Sequence, residues 1–512
     1  MRTSRNLRMA ALIATAAAAL AACSTPPSGG TAPKAGSAGT SLTADLASYP
    51  ASLDPGLQYD TDSYSVYRNI FDQLLRRDPK TNKIVPGLAT SWTQKDPKTW
   101  VFTLRSGVKF SDGTPLTAAD AAFSIQRILD PKFASQQNAN FSAVASATGS
   151  GNTLTITTKY PSPTLLSYLT TLSVVPKADV QKVGNAAFNL HPIGSGPYTF
   201  VSSIPGSQVV LKRNDSWWGP KPQIKQVTFR AVPSGASRVA DLKSGKADIA
   251  DSMTPDSATQ LTGSSGLKVL SAPTERVSYL AFNTIKGGAT NDPKVRQAIS
   301  MAIDYKSLIT NLEQGYAKPV NSVLTPLAEG YPTGLPGYTY DQAKAKSLIQ
   351  QAGAKGKTIV MATSPTYDPQ IVQAIQADIQ DIGLKVSIQN TDQATYLKKV
   401  QSPTHDWGSI RFGQWSCSCL DADGVAYPLF HTGTIWSSYS NPQFDALVDK
   451  ARQTIAPATR TQLYAQAYGI LNKDLPGIGL FQIDAIYGAS AKLEWTPDAQ
   501  QSFFVADMKL AS

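Results

Sequence analysis

Histidine and cysteine occur only three times each in 512 residues, and charged residues make up 16% of the chain. So few histidines (His191, His405 and His431) leave little scope for general-base or zinc chemistry, and no G-x-S-x-G elbow or H-E-x-x-H run is present. The low charge content argues against a disordered or coiled-coil chain. Lys+Arg 47 against Asp+Glu 36 gives a formal charge of +11. No block of five or more basic residues concentrates that surplus, which speaks against a nucleic-acid partner. Uninterrupted apolar stretches of the ~20 residues needed to span a bilayer are also missing. What is present is 42% hydrophobic and 9% aromatic residues, enough for large buried cores, and a length that corresponds to about three structural units.

The first 22 residues contain Arg2, Arg5 and Arg8 and no acid, and residues 9–22 carry no charge. A basic start followed by a short apolar segment is the pattern of an export signal. Leu20-Ala21-Ala22-Cys23 resembles the lipobox of bacterial lipoproteins, which implies cleavage before Cys23 and lipid attachment to its thiol. The alternative is an ordinary secretory signal with an incidental cysteine. The segment after Cys23, to residue 41, is almost wholly Ser, Thr, Pro, Gly and Ala and is expected to be a flexible tether reaching about 25 Å. Residues 1–22 are thus expected to be a signal peptide and 23–41 a lipidated cysteine and tether. The folded body is expected to be anchored to the membrane rather than to span it.

From residue 42 onward short strand-like runs alternate with helices, the pattern of a mixed α/β fold. Residues 88–92 and 99–105 flank a turn at Lys95-Asp96-Pro97-Lys98, which predicts an antiparallel pair. Thr117 and Asp120 have capping-box spacing. Asp292-Pro293, Asp368-Pro369 and Asn441-Pro442 each place an N-cap before a proline at the first helical position, where its missing N–H costs nothing. Ile371, Ile375, Ile379 and Ile382 form a stripe that predicts a packed helix face ending at Gly383. The run from Gly353 to Thr358 has two residues between its glycines, where a phosphate loop needs four, and is expected to be a helix stop.

The run of residues 100–120, through Gly107, Asp112, Gly113 and Pro115 to Asp120, resembles the extracytoplasmic solute-binding proteins of peptide and nickel ABC importers, the dipeptide/oligopeptide-binding class. Residues 193–198, 242–249 and 295–304 add blocks in family order. The resemblance implies a type II periplasmic-binding-protein-like fold: two α/β lobes, with an extra subdomain in lobe I, enclosing a ligand. Lobe I is expected over 42–271 with the subdomain at about 75–190, lobe II over 272–480, and a return to lobe I over 481–512. The crossings are expected near 272–280 and 479–483. It further implies a monomer without cofactor that captures a small solute, most simply a short peptide, and delivers it to a permease at the outer face of the cytoplasmic membrane. A metal chelate, haem-like compound or oligosaccharide is the alternative cargo.

The family's ligand loop matches residues 413–424. Peptide-binding relatives carry an aspartate three residues after Trp415 that pairs with the ligand's ammonium, and Ser418 stands there instead. A hydroxyl does not replace such a contact, so Asp421 or Asp423 is expected to take the cation, unless both cap a turn or the ligand lacks an amine at that point. Trp415 is expected to wall the cleft, and Ser195, between Gly194 and Gly196, to lie near it or to serve a turn. Cys417 and Cys419 admit three readings: a disulfide suited to an exported protein, a metal site recruiting His405 and His431, or free thiols. A hydrolase built on Ser265 and Lys268, in S-x-x-K spacing, is the remaining alternative.

Overall fold

The computed structural model describes residues 41–511. The signal segment, Cys23 and the tether up to residue 40 lie outside them. The N-terminal devices that sequence spacing marks out form as expected. Asp292, Asp368 and Asn441 each accept a backbone N–H of the first turn, at 2.8–3.0 Å from Lys294, Gln370 and Gln443, and open the helices Pro293–Ala302, Pro369–Asp381 and Pro442–Gln453. Asp120 Oδ2 accepts from the Thr117 N–H at 2.9 Å at the start of Ala118–Leu129. The Ile371, Ile375 and Ile379 stripe is buried, and Gly383 turns the chain at φ +96° into the strand Lys385–Asn390. Residues 353–357 separate the helix Gln342–Gln351 from the strand Thr358–Thr363 and hold no strand-to-helix loop.

An eleven-stranded sheet runs through the molecule. Its order is Lys385–Asn390, Thr358–Thr363, Ile410–Trp415, Leu267–Phe282, Gly477–Ser490, Ile249–Ala250, Ser41–Leu46, Gln226–Ala231, Gln208–Arg213 and Tyr198–Ile204, with Ala317–Lys318 pairing to Gly477–Ser490 off this path. The two central strands, Leu267–Phe282 and Gly477–Ser490, are long enough to belong to both halves of the sheet. Around one end of the sheet Leu280, Ile299, Ile349, Ile375 and Phe412 form a core. Around the other, Leu42, Tyr67, Phe188, Val209 and Tyr487 form a second, which the C-terminal residues Phe503 and Val505 join. A separate four-stranded sheet contains the expected pair, Ala89–Asp96 against Thr99–Leu104, and covers Ala118–Leu129 with its own core. A fourth core packs Tyr279 against the helices Asp423–Phe430, Pro442–Gln453 and Pro457–Asp474.

The two central strands lose register at two places, between Pro273 and Val277 and between Ser278 and Tyr279, and the first is the larger. Pairing runs from Leu267↔Ser490 to Pro273↔Asp484 and resumes at Val277↔Gln482, so the first strand carries two more residues than its partner across the gap. Proline has no N–H to offer a ladder, and a bulge is where a strand accommodates it. Side chains repair the break. Thr274 Oγ1 donates to the Ile483 carbonyl at 2.7 Å and accepts from the Arg276 N–H at 3.1 Å, while Gln482 Nε2 donates to the Thr274 carbonyl at 2.6 Å. Glu275 and Arg276 are thereby turned out of the sheet. Among the described residues no helix is long and apolar enough to cross a membrane.

Candidate functional site

A cavity of about 200 Å³ opens beside this bulge. One wall comes from the helix Thr61–Ile70, which presents Tyr64 and Tyr67; the opposite wall comes from Ser416 and Ser418, just beyond the strand Ile410–Trp415; Glu275 and Arg276 line it as well. Tyr64 and Tyr67 belong to the core that contains Leu42, whereas Ile410–Trp415 pairs with the other half of the sheet. The cavity therefore lies between the two halves. Asp60 is occupied as the helix N-cap, its Oδ1 accepting from the Ser63 N–H at 2.9 Å. Glu275 Oε2 is shut off from solvent and has no hydrogen-bond partner. Desolvation pushes its carboxyl up to about 7, with Arg276 only partly opposing.

The 416–424 loop is held from both sides. Arg77 donates through Nη2 to the Cys419 carbonyl at 2.9 Å, and Tyr168 Oη lies 3.9 Å from Cys417 Sγ. Cys417 and Cys419 are joined by a disulfide. The two histidines considered with them are engaged elsewhere, His405 Nδ1 with Ser438 Oγ at 2.9 Å and His431 with Asp449 at 3.3 Å. Among the described residues no group of three or more His, Cys, Asp or Glu is placed to hold a metal ion.

The loop's two aspartates face away from the cavity. Asp421 is 2% exposed, and its two oxygens accept from Arg460 Nη1 and Nη2 at 2.6 Å each. Asp423 meets Arg452 Nε at 3.0 Å and accepts from Tyr464 Oη at 3.2 Å. Burial raises its carboxyl despite these partners. Both aspartates thus pin the loop to the helices beneath it, which replaces the expectation that one of them reaches a ligand cation. Trp415 is half-buried, donates Nε1–H to the Gly424 carbonyl at 2.8 Å and stacks edge-on to Trp436, so it supports the wall from behind. Ser418 lines the cavity directly.

Ser195 also stands apart from it. The side chain is buried at 1% exposure and donates to Asp72 Oδ2 at 2.9 Å, and a Cβ at Gly194 or Gly196 would collide with the Ile70 backbone. The glycines are there for close approach, the turn reading of this motif. Asp72 takes three donors, Ser195 and the indoles of Trp217 and Trp218, but no cation contacts it, and desolvation raises its carboxyl to about 6. The folded form thus keeps this proton to about pH 6, while the unfolded chain releases it near the usual ~3.9. Stability from this group is full below that lower value and falls as pH rises towards 6, by on the order of 2–3 kcal/mol. Urea midpoints at pH 4.5 and 6.5 should show this decline, and Asp72→Asn should flatten it; an unchanged slope in the variant would remove Asp72 from the account.

Ser265 is exposed in the turn before Leu267–Phe282, and Lys268 Nζ lies 3.4 Å from the Ala491 carbonyl. Glu275 and Arg276 escaped sequence reasoning. The signal that could have found them is Pro273 inside an otherwise strand-like run with two opposite charges beside it.

The model of the bacterial extracellular solute-binding proteins, family 5, matches residues 83–437. The chain belongs to this family. A glutathione-binding protein of Escherichia coli (strain K12) is 28% identical over 476 residues, covering 89% of this chain and 92% of its own. Among solved structures, the ABC transporter-associated periplasmic binding protein DppA of Helicobacter pylori, in complex with the peptide STSA, superposes with a TM-score of 0.77 at 26% identity, over 92% of this chain and 98% of that one. The substrate-binding protein CtaP of Listeria monocytogenes, at 24% identity and a TM-score of 0.85 over 93% and 100% of the two chains, shares the fold. This family 5 protein accordingly has the two-lobed, type II periplasmic-binding-protein architecture. The relatives are binding proteins, and they cover nearly the whole folded body rather than one motif.

Proposed function

We propose that this family 5 protein is a lipid-anchored, extracytoplasmic receptor that captures short peptides between two closing lobes and hands them unaltered to the permease of an ABC importer. The observation that carries the reading is the cavity walled by Tyr64 and Tyr67 from one half of the sheet and by Ser416 and Ser418 from the other. A solute there touches both halves at once, so its affinity is greater for the closed arrangement, and closure is what a permease distinguishes. The volume of about 200 Å³ is below the ~300–1,000 Å³ of common ligand sites, which favours a short solute. The glutathione-binding relative and the peptide complex of the structural relative support a peptide-like cargo.

In this reading lobe I comprises residues 42–271 and 481–512 with a subdomain at about 75–190, and lobe II comprises 272–480. The hinge is the pair of central strands at their register break. The receptor works as a monomer, and Cys23 carries the lipid. Native mass spectrometry of protein purified from its own cells should reveal a co-purifying peptide, and scattering should show the particle contracting when that peptide is returned to the stripped protein. A particle of constant dimensions, or chemical turnover of the peptide, would sink the reading. Cys23→Ala should move the protein from the membrane fraction to the soluble one; retention on the membrane would refute the anchor.

A further inference from the structure

Glu275 and Arg276 project from the bulge between Pro273 and Val277 into the cavity wall. The carboxylate oxygen Oε2 of Glu275 is cut off from solvent and lacks a donor, and Arg276 forms no ion pair among the described residues. A fold rarely leaves such an oxygen unmet, so an orphan on a cavity-lining residue points to a partner that arrives from outside. The remaining walls do not compete for that role. Asp60 stands exposed at the cavity with Oδ1 accepting from the Ser63 N–H, so its charge is already solvated and spent in part on the helix N-terminus, and the 416–418 segment contributes hydroxyls without charge. A second buried orphan, Oδ1 of Asp484, lies opposite Pro273 in a neighbouring cavity that shares Thr61 and Arg276 with the first.

We propose that Glu275 is the cation anchor of this receptor: its carboxylate receives the ammonium group of an amine-bearing solute, while Arg276 beside it faces the solute's own carboxylate. The inference rests on the receptor reading above and narrows its cargo to zwitterions with a free amino group. It also explains how the cavity can bind such a solute although Asp421 and Asp423 are committed to Arg460 and Arg452.

The charged and titratable groups around Glu275 are Arg276 and Arg77, Asp498 and Asp60, and the phenols of Tyr59, Tyr64, Tyr67 and Tyr487. Burial outweighs the two cations, and the carboxyl is raised to about 7. Binding an ammonium requires the carboxylate, so below pH 7 the Glu275 proton passes to the buffer as the complex forms. Affinity is then lowest in acid, rises as pH approaches 7, and falls again above ~8, where a peptide's α-amino group loses its own proton.

The test is calorimetry on the full folded chain, stripped of bound solute, with a synthetic dipeptide and tripeptide library and with the same library Nα-acetylated. The free-amine library should bind at least fifty-fold more tightly than its acetylated twin, and at pH 6.5 buffers of different ionisation enthalpy should report more than half a proton released. Glu275→Gln, nearly isosteric, should lose that preference and the rise towards pH 7, with a urea midpoint no lower than wild type, since it removes a carboxyl whose ionisation burial opposes. Equal affinity for both libraries, or wild-type affinity in Glu275→Gln, overturns the anchor and leaves the receptor reading intact. If neither library binds the wild-type protein, the peptide reading falls and the anchor with it.

Discussion

Arg460→Met is expected to destabilise the protein by about 3–5 kcal/mol, because it leaves the Asp421 carboxylate buried without its counter-ion. Both side chains are almost fully enclosed, at 3% and 1% exposure, and the two 2.6 Å hydrogen bonds between them form a bidentate pair. What remains for Asp421 is one N–H, from Asp423 at 2.8 Å, too little to offset desolvation of a full charge. Urea unfolding followed by tryptophan emission should report the loss, since Trp415 and Trp436 flank the same loop. The double variant Asp421→Leu with Arg460→Met should recover most of it, because a buried ion pair replaced whole by apolar groups is often near neutral. A single variant as stable as wild type would show that the pair does not organise the loop. Asp421→Asn separates the two roles considered for this residue. A framework residue costs stability, whereas a ligand anchor costs affinity and leaves the urea midpoint in place.

Gly424→Ala is expected to weaken solute binding about tenfold to a hundredfold. A Cβ there would overlap the sulfurs of both Cys417 and Cys419, and the loop has little room to retreat. Cys419 is fully buried with its carbonyl held by Arg77, and the Gly424 carbonyl is held by the Trp415 indole. Overpacking of this kind costs about 1–3 kcal/mol, and the displacement it forces falls on Ser416 and Ser418, which form the cavity wall. Each 1.4 kcal/mol that reaches the bound state is a tenfold loss. Gly433→Ala is the control. Its φ of +81° strains any side chain, yet nothing lies near the added methyl, so it should lower stability slightly and leave affinity unchanged. Calorimetry with the co-purified solute measures both; wild-type affinity in Gly424→Ala would mean that the disulfide loop does not shape the site.

The same loop shows where sequence reasoning about the site reached its limit. Its position in the family pattern was legible from Trp415 and the flanking residues, and Ser418 lines the cavity. The direction of Asp421 was not, because its partner Arg460 lies 39 residues further on, in a helix whose packing against the loop leaves no mark in local composition. Ser195 was open between cleft and turn for a similar reason: Asp72, which accepts its hydroxyl, lies 123 residues earlier in the chain. The Asx-Pro helix starts, the isoleucine stripe and the antiparallel pair at 89–104 depend on neighbours within a turn or two, and these the chain states openly.

The primary structure alone thus settled the family, the α/β class and the starts of four helices, since each follows from contacts a few residues apart or from motifs matched in order. The tertiary structure decided which charges are spent on scaffold and which remain open. That choice turns on desolvation, which depends on how completely distant segments close over a group. Asp421 and Glu275 are both acids beside arginines in space; burial against Arg460 makes one a strut, and an unmet oxygen at a cavity wall sets the other apart.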